Sequence, residues 1–379
     1  MKTAYLLYGF ILFAFFSCGN DSPVPPSGET PINPPVETET RDPYLWPFSS
    51  TSIWNMPIGS KAEYVHAGLE ETPTMTIDED YIVLTPDETP MKIYRSGAGW
   101  NANNSRCEHT DQLLFEAPIP QSWEVSRATW DGDTPNAGLA VLLEDGVTIR
   151  QTQPFAHCTV GGDATSMVVF KDVSIYGDGI SGAHGGSGLS AIGGALRNHE
   201  LTPTSGRIRH ALKINLWGAK NLYYDRETKG YRWPADRADG YAGDTGNGYG
   251  QRRTAPVVKD CRMGALLALP ASLKIEELEL VTEPAKILAQ ALQDYGAYVV
   301  DDTAWNVNAF ITEWSPAGRF ADNFRKNWGF SFSTNGRDDW GKDLIKIFAQ
   351  LHVVVNNTEN TPGGGGTPRQ PLAPPFEIK

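Results

Sequence analysis

The chain is short of basic residues and of long apolar runs, and it carries few cysteines. Its 32 Lys and Arg stand against 45 Asp and Glu, a formal net charge of −13. That balance repels phosphate backbones and argues against a nucleic-acid partner. Charged residues are only 20% and hydrophobic ones 40%, which excludes wholesale disorder. After residue 18 no stretch is long and apolar enough to span a bilayer. No GxGxxG, P-loop or GxSxG motif stands in a strand–turn–helix setting, and no repeat of fixed period supports a propeller or solenoid. What the chain does have is 38 Gly and 27 Pro, which favour strands and turns over a helical bundle. Eleven Trp, 14 Tyr and 15 Phe supply core and stacking surface.

Residues 1–17 read as a signal segment: Lys2 is a minimal positive start and 4–16 is an apolar run. The run ends in Phe16-Ser17-Cys18-Gly19, which resembles a bacterial lipobox. The resemblance implies cleavage before Cys18 and lipidation of its thiol, so the membrane is met through a lipid anchor in the cell envelope. Residues 18–42, rich in Pro, Thr and Glu, read as an extended tether. Residues 43–357 are expected to form one β-rich domain, and 358–379, with four consecutive glycines, a disordered tail. Of the remaining cysteines, Cys107 and Cys158 are the disulfide candidates in an oxidising envelope, leaving Cys261 a free buried thiol. The neighbouring His109 and His157 raise a Cys/His metal site as the alternative, but the spacing fits no standard zinc motif, and no metal or cofactor is assigned.

Short apolar runs bounded by Pro, Asp and Gly predict strands at 81–85, 91–95, 113–115, 167–176, 266–269 and 297–300. A hairpin is expected around Glu144-Asp145-Gly146. Over 208–217, period-2 alternation places Ile208, His210, Leu212 and Ile214 on one face, with Arg209, Lys213 and Asn215 on the other. Helices are predicted near 283–295, with Pro284 in the first turn and Gly296 as stop, and over 343–351. The expected fold is mainly β: a β-sandwich or jelly-roll-like core with a few peripheral helices.

Chemistry concentrates in 177–217. A glycine-rich stretch carries His184, and Arg197, Glu200, His210 and Lys213 follow closely. Backbone without side chains lets a ligand approach, a cation neutralises a carboxylate, and a His moves a proton. His210, Glu200 and His184 are therefore the catalytic candidates. Arg197, Arg209 and Lys213 are candidates for binding an anionic sugar, and Tyr231 and Trp233 for stacking on sugar rings. Asp131 and Asp133 suit a turn, while Asp301 and Asp302 close a strand, a common place for site residues.

Several motifs occur in one order: Trp54-Asn55-x-x-Ile58, Arg197-x-x-Glu200-Leu201, Ile208-x-His210-Ala211-Leu212-Lys213 and Leu292-x-x-Tyr295-Gly296-x-x-Val299-x-Asp301. In this the chain resembles a broad group of secreted bacterial proteins, some from settings of polysaccharide breakdown. The group shows Arg where Lys213 stands and Ala-Asp where Val300-Asp301 stands. The resemblance adds weight to Glu200, His210 and Asp301 without giving them roles. The expected function is a surface-anchored enzyme acting on an extracellular polysaccharide or oligosaccharide, uronate-bearing, by β-elimination. A glycoside hydrolase using paired carboxylates (Glu200 with Asp301 or Asp302) is the first alternative. A non-catalytic glycan-binding lipoprotein is the second.

Overall fold

A computed structural model describes residues 39–72, 74–100, 105–125 and 136–377. Cys18, the signal segment, most of the tether, and Asp131 with Asp133 lie outside the described residues. The first half supplies β1 (Tyr64–His66), β2 (Met75–Val83), β3 (Pro90–Ser96), β4 (His109–Pro118), β5 (Leu139–Leu142), β6 (Thr148–Gln153), β7 (Ala164–Ser166), β8 (Val168–Val169) and β9 (Val173–Ser174). Then come β10 (Leu212–Leu216), the single turn α1 (Gly218–Asn221), β11 (Leu266–Ala268), α2 (Glu283–Asp294), β12 (Ala297–Asp302) and β13 (Asn308–Ser315). The short β14 (Gly318–Arg319), α3 (Phe320–Trp328), α4 (Asp339–Ala349) and β15 (His352–Val354) complete the chain order. The fold is mainly β with a few peripheral helices. No helix among the described residues is long and apolar enough to cross a membrane.

The large sheet runs β1-β15-β11-β12-β10-β13-β2-β5-β6-β8, with β14 on β13 and β9 on β6; β4-β3-β7 form a second sheet. The large sheet is mixed: β10 with β12, β13 with β2, and β2 with β5 are parallel pairs. One face is covered by α2 and α4, where Leu288, Leu292, Leu344 and Ile347 pack on Leu212, Ile214, Val299 and Phe310. Burying each such leucine contributes roughly 1.5–3 kcal/mol. Farther along that face the second sheet takes over, with Met91, Ile93 and Phe115 packed among Tyr81, Val141 and Trp314. The opposite face is covered by chain that is mostly irregular: Phe48, Trp54, Ile175, Leu189 and Ile192 pack on Ala211, Tyr298, Val300 and Ile311. Because both faces are covered, β10 and β13 are buried at every position.

Two expectations need correction. Residues 358–377 are not a disordered tail, and the fold begins before residue 43. Backbone hydrogen bonds run from Arg41 N to Pro375 O, Ser60 N to Thr367 O and Lys61 N to Gly365 O, so the last segment straps the first. Gly363, Gly364, Gly365 and Gly366 all have positive φ, and their turns seat against residues 57–62. The cysteines pair as expected, Cys107 with Cys158, leaving Cys261 free and buried. With both thiols in that bond the Cys/His metal reading falls; His157 Nδ1 instead bonds the Trp123 carbonyl.

Candidate active site

The loop-covered face of the large sheet holds a cluster of ionisable groups. Asp78 and Asp80 flank Glu79 and share one face of β2, and Lys213 and Asn215 alternate with buried apolar residues along β10. A register shift between Ile214 and Asn215 puts one extra residue into β12. Ile214 pairs with Val299 but Asn215 pairs with Asp301, which turns Asp301 onto the face of Lys213 and Asn215. The glycine-rich segment crosses above and brings down His184.

At the floor, Lys213 is completely buried. Its Nζ donates to Asp80 Oδ2 at 2.6 Å and to the Ser190 and Ala191 carbonyls at 2.8 Å each, which uses all three protons. His184 Nε2 donates to the same Asp80 oxygen at 2.8 Å, and its Nδ1 lies 3.7 Å from Asp301 Oδ2. Burial disfavours charge on His184, and so does Lys213. Asp80 and Asp301 outweigh both and lift the imidazole to about 9, so it is a cation at neutral pH. Burial alone would raise Asp80, but His184 and Lys213 hold it below its ordinary value. Burial pulls Lys213 down.

Above this floor the carboxylates crowd together and become partly exposed. Burial, then Asp80 and Asp301, pushes Asp78 up to about 7. Asn215, only 2% exposed, donates Nδ2 to Asp78 Oδ2 at 2.9 Å and leaves its Oδ1 buried without a protein partner. Burial, then the Asp301 charge, pushes Asp239 up to about 8, although Tyr249 donates its hydroxyl to Asp239 Oδ2 at 2.5 Å. Burial also lifts Asp302 to about 7, against hydrogen bonds from Gly218 N and from the Tyr241 hydroxyl at 3.1 Å. Asp301 and Asp239 are neighbours. A Cβ on Gly186 would lie 2.5 Å from Asp301 Oδ1 and 3.0 Å from Asp239 Oδ1, so the two oxygens can be no farther apart than those distances together. A side chain cannot occupy position 186 without displacing both.

Of the residues singled out in the sequence, His184, Lys213, Asp301 and Asp302 meet here. Lys213 is a buried tie rather than a group free to bind an anion. His210 precedes the strand instead of alternating within it; its Nε2 bonds both Glu200 carboxylate oxygens at 3.0 Å, and both residues are deeply buried. Burial opposes charge on either partner, but each holds the other ionised, raising His210 and lowering Glu200. Arg197 Nε bonds Glu313 Oε2 at 2.9 Å, and Arg209 bonds Glu39 at the surface at 2.8 Å. Tyr231 and Trp233 are partly buried against the core, on opposite sides of the sheet. Asp78, Asp80 and Asp239 were missed. For the first two a signal existed: Asp78, Asp80 and Ile82 share one strand face while Tyr81 and Val83 share the other. Asp239 sits in Ala-Asp-Gly, which reads as a turn.

Comparison with known proteins finds no matching family model, no matching curated protein and no matching solved structure.

Proposed function

We propose that the chain is a glycoside hydrolase acting on an extracellular glycan, anchored at the cell surface through lipid on Cys18. One observation carries the reading: two adjacent carboxyl groups, Asp301 and Asp239, have different partners. Asp301 Oδ2 lies 3.7 Å from His184 Nδ1, while Tyr249 donates its hydroxyl to Asp239. Asp239 is pushed up to about 8 and keeps its proton at neutral pH. A carboxyl group that keeps its proton beside a second carboxyl group supplies an acid next to a candidate nucleophile. Their closeness suits the retaining geometry, because an inverting pair stands roughly 6.5–9.5 Å apart to admit a water.

In the first step an Asp301 oxygen bonds the anomeric carbon, the glycosidic bond breaks, and Asp239 gives its proton to the departing oxygen. In the second, the Asp239 carboxylate takes a proton from water, whose oxygen bonds the anomeric carbon and frees Asp301. Asp80 and Lys213 hold His184 in place throughout. Elimination from a uronate is supported less well. It needs a cation facing the sugar carboxylate, and Arg197, Arg209 and Lys213 are each engaged by Glu313, Glu39 and Asp80.

The test is incubation with a panel of neutral and uronate-bearing glycans, read by product mass and ultraviolet absorbance. Products carrying one added water are expected, with Asp301→Asn and Asp239→Asn each slowing turnover by roughly 10²–10⁴-fold. Cleavage with a new unsaturated-uronate absorbance and no added water would establish elimination instead. Binding without turnover across the panel would leave the chain a glycan-binding protein.

A further inference from the structure

Many large aromatic side chains of the described residues pack inside, including Trp54, Trp340, Tyr249 and Tyr298; four others are exposed, Trp100, Tyr176, Trp305 and Tyr241, the last two at 57% and 44%. These last two lie next to Asp302, Tyr241 through a hydrogen bond and Trp305 along the chain. Tyr241 is tied to Asp302 through its hydroxyl while its ring stays in solvent. Trp305 follows Asp302 by three residues, which keeps their Cα atoms within roughly 11 Å. Its backbone is fixed: Thr303 Oγ1 donates to the Trp305 carbonyl at 2.8 Å and to the Val307 carbonyl at 3.0 Å, and Val307 N donates back to Trp305 O at 2.8 Å. A held backbone with a largely exposed indole leaves apolar surface in water. The nearby Trp217 is different, because Lys220 and Arg252 lie over its ring at 5.4 and 5.5 Å.

We infer that Trp305 and Tyr241 form a stacking platform for an uncharged sugar ring, so that this site takes a neutral glycan chain. Aromatic faces stack on the apolar face of a pyranose, and the neighbouring carboxyl groups meet its hydroxyls. The pairing of the cations disfavours an anionic sugar. Asp78, Asp80, Asp239, Asp301 and Asp302 share the cluster with Lys213 and His184, and the neighbouring Arg237 is held by Asp236 at 2.6 Å. Lys213 and His184 are buried, and both are held by Asp80. A uronate carboxylate would meet these carboxyl groups with no unpaired cation among the residues named. The uronate preference expected from the basic residues at 197–213 is thereby replaced, because those residues do not reach the cluster unpaired.

The inference rests on the glycan reading above but not on hydrolysis. The experiment uses the processed full chain with Asp301→Asn, so that a bound chain persists. Probes are β-1,4-linked hexasaccharides of glucose, xylose and mannose, and a hexagalacturonate, followed by calorimetry and tryptophan fluorescence. At least one neutral hexasaccharide should bind with a fluorescence change. Adding Trp305→Ala or Tyr241→Ala should weaken that binding about tenfold, and Trp305→Phe should keep most of it. Hexagalacturonate binding tighter than every neutral probe, affinity unmoved by Trp305→Ala, or no binding to any probe would each overturn the inference. Neutral chains that bind through Trp305 yet are never hydrolysed by the unsubstituted protein would sink the hydrolase reading and leave this one standing.

Discussion

Asp239 and Asp301 carry the same functional group, and their surroundings decide what each does. Asp239 is partly buried with a neighbouring anion, so protonation relieves two costs at once. Its partner Tyr249 works the other way: a hydroxyl that donates to the carboxylate stabilises the charged form. In the proposed hydrolysis the acid must carry its proton, so activity is expected below its pKa and should be lost as pH rises through about 8. Tyr249→Phe removes the donor and should move that alkaline limb upward while leaving the substrate range unchanged. A pH profile of kcat/KM on both proteins checks this, and an unmoved or lowered limb would remove Asp239 from the acid role. At this scale the sequence was half legible. His184 stood out because it sits among glycines, and Asp301 because it closes a strand. Asp239 could not stand out, because what matters about it is proximity to Asp301 across sixty residues of chain.

Among elements, the glycine-rich segment 177–194 depends on one buried side chain. Lys213 joins β10 to β2 through Asp80 and holds the segment down through the Ser190 and Ala191 carbonyls. Gly194 continues the close approach: at φ 74° its added Cβ would lie 2.6 Å from the Trp54 ring. Lys213→Met preserves length but strands Asp80 against His184 alone and leaves two buried carbonyls without their donor. Losing one partner of a buried ionic network costs about 3–5 kcal/mol. Urea unfolding should register that loss, and amide exchange should rise first at residues 190–194. An unchanged midpoint would mean that the segment is held by packing on Trp54 instead. The alternation rule found β10 and the hydrophobic helix face of α2, since each has one dominant period. It missed β13, the strand that links the two halves of the sheet. Asn308, Thr312 and Glu313 interrupt its apolar residues, and a strand buried on both faces shows no alternation.

For the whole molecule, composition misread the C-terminal segment. Proline and four glycines in a row describe a chain that cannot build a core of its own, and 358–377 does not build one. It is ordered by a surface already formed. Gly59 N donates to Gly363 O at 2.9 Å, Arg369 N to Ile58 O at 3.0 Å and Glu377 N to Arg41 O at 3.0 Å. The Arg41 guanidinium bonds the Pro374 carbonyl at 2.6 Å and lies 3.8 Å from the Phe376 ring centroid, while also reaching the carbonyls of Trp46, Pro47 and Phe48. These contacts join the two ends of the folded part beside the irregular layer that covers the active face. Ending the chain at Asn357 would free six or more backbone groups, each pairing contributing roughly 0.5–1.5 kcal/mol net. The melting temperature should fall by roughly 5 °C or more. Arg41→Gln in the full chain should lower it by a smaller amount in the same direction, because it loosens the strap without removing it. A truncated protein that melts with the full chain would return 358–377 to the tail that its composition suggests.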